Sequence, residues 1–110
     1  MEKKDWDDIC KVYLSVYRGK HAEEELKQIL RYYTLLKDNV KLGINDYVCY
    51  FPKDIFKCTL KKGGYVLESN SASIYFMNSK TRKRQKISRK DNFIFYIKSG
   101  AGPKFVMMEE

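Results

Sequence analysis

Apolar residues in the first forty positions recur at helical spacing, and beyond Gly43 the repeat shortens to two. Trp6, Ile9, Cys10, Tyr13, Leu14 and Tyr17 fall at i, i+3, i+4 and i+7 and make one apolar stripe. They predict a helix over about 5–18. Asp5 is placed to cap it, and Asp7 and Asp8 lie in a first turn where the helix dipole favours negative charge. Arg18-Gly19 reads as a stop signal. Leu26, Ile29, Leu30, Tyr33 and Leu36 carry the stripe into a second helix over about 21–37, opened by Glu23, Glu24 and Glu25. The connection between the two is short, which predicts an antiparallel helical hairpin.

The alternating half predicts strands over about 47–51, 55–61, 65–69, 73–78, 82–87, 93–98 and 104–108. Lys62-Gly63-Gly64 reads as a hairpin turn, because glycine accepts the positive φ of tight turns. The expected fold class is α+β: an N-terminal antiparallel helical hairpin followed by a five- to six-stranded antiparallel meander. Such a sheet curls into a small barrel or across the helices. The chain, residues 1–110, is expected to form a single α+β domain.

No apolar run approaches the ~20 residues of a membrane span, and Met1–Asp5 lacks a signal-peptide core. A cytoplasmic location is expected, or a nuclear one in a eukaryotic or viral setting. Cys10, Cys49 and Cys58 lie among apolar neighbours with no C-x-x-C spacing, so they read as reduced, buried thiols. Lysine outnumbers arginine, and Asn, Ile and Tyr are common, a bias associated with low-GC bacteria, phages and large viruses.

Charge changes the picture. The net charge is +8, with basic and acidic residues in balance over 1–38. The surplus is concentrated in one segment, where Lys80, Arg82, Lys83, Arg84, Lys86, Arg89 and Lys90 meet no acidic residue. Such a block attracts polyanions. Its arginines carry a planar fork that suits phosphate better than an ammonium does. On a strand, Arg82, Arg84 and Lys86 would project to one side about 7 Å apart, with Ile87 anchoring the other side. A charged edge strand also protects against aggregation, yet this many like charges exceed what that role needs. Tyr75 and Met77 on the preceding strand, and Tyr96 on 93–98, are expected near this row, where an aromatic ring suits base stacking. Lys61 and Lys62 would widen the positive surface from a hairpin tip.

Other chemistries find little support. Structural zinc wants four Cys or His at paired short spacings, and the chain has one histidine, His21. Cys10 with His21 is the one nucleophile–base pair available, and Cys10 lies on the packing stripe. Glu25-Leu26-Lys27 has the E-x-K spacing of some nucleases but opens an amphipathic helix instead of lying on a strand. Lys61-Lys62-Gly63-Gly64 lacks the strand-to-helix context of a phosphate-binding loop. No catalytic residue, metal or cofactor is therefore assigned.

The leading expectation is a small non-enzymatic nucleic-acid-binding protein, with RNA or single-stranded DNA favoured because neither helix is basic enough to read a major groove. Its site would comprise Lys80, Arg82, Lys83, Arg84, Lys86, Arg89, Lys90, Lys61, Lys62, Tyr75 and Tyr96. The alternative is an inhibitor or accessory protein of the kind mobile elements and phages make, binding a host protein or ribonucleoprotein through its basic, Tyr-rich surface. Anionic lipid is a third, less favoured partner.

Overall fold

The computed structural model describes residues 2–54, 56 and 59–98. The strand expected at 104–108, the loop before it, and Ile55, Lys57 and Cys58 lie outside the described residues. Of the rest of the strand expected at 55–61, Phe56, Thr59 and Leu60 are not in a strand and Lys61 opens the next one. Two helices, α1 (Lys3–Tyr13) and α2 (Ala22–Ile29), precede six strands. These are β1 (Thr34–Leu35), β2 (Tyr47–Pro52), β3 (Lys61–Ser69), β4 (Ser73–Asn78), β5 (Arg84–Ser88) and β6 (Asn92–Ile97). They form one antiparallel sheet in the order β1-β6-β2-β3-β4-β5.

Strands β2 to β5 form the expected meander. β6 then returns to the other side of β2, and β1 adds outside it. β1 and β5 are the two edges and do not pair, so the sheet is not closed into a barrel.

Both helices are shorter than expected. α1 ends at Tyr13, where Ser15 Oγ donates to the Val12 carbonyl and Val16 N turns back to Tyr13 O at 3.1 Å. A side chain that bonds the preceding turn in this way competes with helix continuation. Asp5 lies inside the first turn and pairs with Lys37, while Glu2 holds the cap position. The second helix stops at Ile29 because the next apolar residues join the sheet. Thr34 and Leu35 pair with Tyr96 and Phe95, and Leu36 N donates to Ile94 O at 2.8 Å. Tertiary pairing thus overrides helical spacing there. The expected helical hairpin reduces to two helices on one side of the sheet, in contact where Trp6 Nε1 donates to Glu23 Oε2 at 3.1 Å.

Alternation along β2 and β6 divides the core in two. Cys49, Phe51 and Phe95 face the helices and pack with Ile9, Tyr13, Leu26 and Leu30. Val48, Tyr50 and Ile94 face the other way and pack with Val66, Ile74, Phe76 and Ile87. The β1–β2 connection crosses that second side, placing Leu42 in its core and bonding Leu42 N to Ser69 Oγ at 3.3 Å. Phe51, Phe76 and Phe95 are fully buried, each contributing roughly 1.5–3 kcal/mol of transfer free energy.

Gly63 and Gly64 do not form a turn. They lie within β3, at a bulge where Val48 pairs with Gly64 and Cys49 with Lys62. A Cβ on Gly64 would lie 1.8 Å from the Met77 carbonyl oxygen, and one on Gly63 2.6 Å from that of Val48. The pair is required by close approach of neighbouring strands, not by turn geometry.

Candidate functional site

The basic segment divides into three parts with different surroundings. The first is a turn organised by Asn78. Its Oδ1 accepts from Lys80 N and Thr81 N, both at 2.8 Å, and its main chain bonds Arg82 N at 2.8 Å and Lys83 O at 2.9 Å. Arg82 holds the left-handed φ of 62° that closes this turn. β5 therefore starts at Arg84, and Arg82 is not part of the expected row of three. Lys80, Arg82 and Lys83 are exposed on the turn.

The second part is the start of β5. Ile87 is buried beside Ile74 and Phe76, as its inward position requires, so Arg84 and Lys86 project to the opposite side. They converge on Tyr75. The Arg84 guanidinium lies 4.9 Å from its ring centroid and Lys86 Nζ lies 5.9 Å from it. Among the described residues Glu68 is the carboxylate paired with them, with Oε1 3.8 Å from Arg84 Nη2.

The third part is Arg89, whose guanidinium is engaged within the fold. Nη2 donates to the carbonyls of Lys37 at 2.6 Å, Asp38 at 3.2 Å and Val40 at 2.8 Å, and Nη1 donates to Asn70 O at 3.1 Å. One side chain thus ties the β1–β2 connection and the β3–β4 turn to the end of β5. Lys90 is exposed in the turn that follows.

Lys61 and Lys62 open β3 and are exposed. Ser79 N donates to Gly63 O at 3.1 Å, which brings these lysines to the same end of the sheet as the Lys80–Lys83 turn. Tyr96 is placed elsewhere. It pairs with Val48 and packs against the second core, on the opposite side of the sheet from Tyr75 and three strands away.

The sheet also assembles residues that the sequence alone does not connect. Among the described residues, the helix-side core draws on β2 and β6 but on no residue of β3, β4 or β5, so neither α1 nor α2 packs on that half of the sheet. Across it, Arg84 pairs with Met77, Met77 with Tyr65, and Tyr65 with Tyr47, one residue from each of four strands. Directly paired residues share a face. The Tyr47 and Tyr65 rings meet edge-on at 5.1 Å, and Tyr47 Oη lies 3.3 Å from Ser79 Oγ. Tyr33, just before β1, packs with the helix-side core on the same side of the sheet. Burial raises its phenol pKa above the ordinary value, and the Cys49 thiol, Tyr47 and Tyr65 add to the shift. Tyr47–Phe51 is apolar or aromatic throughout and does not mark Tyr47 as outward, and cross-strand register has no local signature in sequence.

Cys49 is buried, and its thiol is pushed up to about 12 by desolvation, partly offset by a hydrogen bond from Tyr33. Cys10 is half-buried on α1, with its thiol raised to about 11 by burial and by the nearby Glu23 and Asp7. His21 Nδ1 lies 3.1 Å from Glu24 Oε1 on an exposed helix start. Among the described residues no three His, Cys, Asp or Glu side chains cluster as metal ligands would, and no helix is long and apolar enough to cross a membrane.

No protein-family model, curated protein or solved structure matches this chain.

Proposed function

We propose that this domain binds nucleic acid without catalysing a reaction, through the open side of β3–β5. The observation that carries the reading is the convergence of Arg84 and Lys86 on the half-buried ring of Tyr75. Paired cations beside an aromatic face supply both things a nucleotide offers partners for: charge for phosphate and a flat apolar surface for a base. The Lys80–Lys83 turn and Lys61/Lys62 lie at one end of this surface and extend its field. Arg89 contributes to the fold and not to the contact surface, because its donors are already directed at carbonyls.

Fluorescence anisotropy with labelled single-stranded RNA, single-stranded DNA and duplex DNA tests this reading. Wild-type protein is expected to bind, and Arg84→Ala/Lys86→Ala to bind at least tenfold more weakly at low salt. Equal binding by the double variant would reduce these residues to a solvated edge. A partner retained from lysate after nuclease treatment, together with no oligonucleotide binding, would point to the protein-inhibitor class instead.

A further inference from the structure

Resting on the nucleic-acid reading above, the geometry points to a base-stacking track for an unpaired strand, running across the sheet from Arg84 through Met77, Tyr65 and Tyr47 to Tyr33. The first four residues are consecutive cross-strand partners on one face. At the usual spacing between strands they cover about 14 Å. Tyr33 follows on the same side, since its ring packs with the helix-side core and it directly precedes Thr34, which pairs with Tyr96 in the same sheet.

Cations stand at both ends. Arg84 and Lys86 flank Tyr75 at the β5 end. At the other end Tyr33 lines a cleft of about 290 Å³ together with Trp6, Lys27, Leu30 and Arg31. There Lys27 Nζ lies 5.9 Å from the centre of the Trp6 ring. Carboxylates also border the track: Glu68 beside Arg84, Glu23 held by the Trp6 indole, and Glu2 and Asp5, which line a second cleft with Tyr33 and Lys37. Cations at each end and tyrosine between them complement a strand whose phosphates are anchored at intervals and whose bases are free to stack. A duplex keeps its base faces occupied and would meet the same surface through its backbone alone. The track therefore selects single strands, RNA or DNA, with little sequence preference.

The test compares wild-type protein on dT12, U12, a 12-nucleotide abasic strand with the same phosphates, and a 12-base-pair duplex. Stacking of even one base is expected to make dT12 and U12 bind roughly 5- to 150-fold tighter than the abasic strand. Tyr47→Leu/Tyr65→Leu is expected to bring that ratio toward parity, while Arg84→Ala/Lys86→Ala weakens both strands together. The abasic comparison uses unaltered protein, so misfolding of a variant does not decide it. Equal, salt-dependent affinity for dT12 and the abasic strand would overturn the track and leave phosphate binding standing. No salt-dependent binding to any of these oligonucleotides would overturn both.

Discussion

Arg89 Nη2 donates to the Val40 carbonyl at 2.8 Å, joining the end of β5 to the connection that crosses the second core. A segment that looks uniformly cationic in sequence thus contains a residue whose charge serves the fold. With four carbonyls sharing one guanidinium, Arg89→Ala is expected to cost about 2–3 kcal/mol of stability, since hydrogen bonds to charged groups are stronger than neutral ones. Arg89→Lys keeps the charge but loses the fork, and should recover less than half of that loss. Urea denaturation measures both. Oligonucleotide affinity, measured where the variants remain folded, should change little.

Glu68 competes with any incoming phosphate for Arg84. Glu68→Gln is expected to tighten oligonucleotide binding roughly two- to threefold at low salt, the scale of an exposed ion pair. The gain should fade as salt screens the surface. Binding isotherms at two salt concentrations check this.

The glycines in β3 offer a sharper structural test. Gly64→Ala would drive a methyl group into the Met77 carbonyl, so a cost above about 3 kcal/mol is expected, with loss of soluble folded protein. Gly63→Ala should be milder, since its nearest obstacle lies farther off. Gly64→Asn separates the two readings of the pair, because asparagine is tolerated in a tight turn but has no room between strands. Circular dichroism and thermal melting measure the outcome.

Alkaline pH should weaken the fold through Cys49 and Tyr33. Folding raises both pKa values, so the folded state keeps protons that the unfolded chain releases. Stability from Cys49 is complete below its ordinary value of 9.0 and is lost as pH rises toward about 12. The urea midpoint should therefore fall with pH above 9.0. Cys49→Ala and Tyr33→Phe, each removing one such group, should flatten that fall relative to wild type. A midpoint as flat in wild type as in these variants would contradict the burial of the pair.

What was legible in sequence followed from local alternation. Ser73–Asn78 has the expected bounds, Tyr47–Pro52 and Asn92–Ile97 lie within a residue of them, and the inward Ile87 correctly sends Arg84 and Lys86 outward. What was not legible depends on partners distant in the chain. Thr34–Leu35 is a strand because β6 lies beside it, and Gly63-Gly64 is a bulge because Val48 and Met77 crowd it. Tyr96 faces the second core because β6 inserts next to β2, a crossover no local pattern encodes. The Arg84–Met77–Tyr65–Tyr47 row exists only in register.

Salt dependence tests the central claim most directly. Neutralisation of five phosphates on a single strand gives log K against log salt a slope of about −3.5, and losing two of those contacts reduces its magnitude by about 1.4. Wild-type protein on dT12 should therefore show a slope near the first figure. Arg84→Ala/Lys86→Ala should show the reduced slope, and Arg89→Ala the wild-type one. A wild-type affinity that barely responds to salt, or a slope unchanged in the double variant, would contradict nucleic-acid binding by the open side of β3–β5.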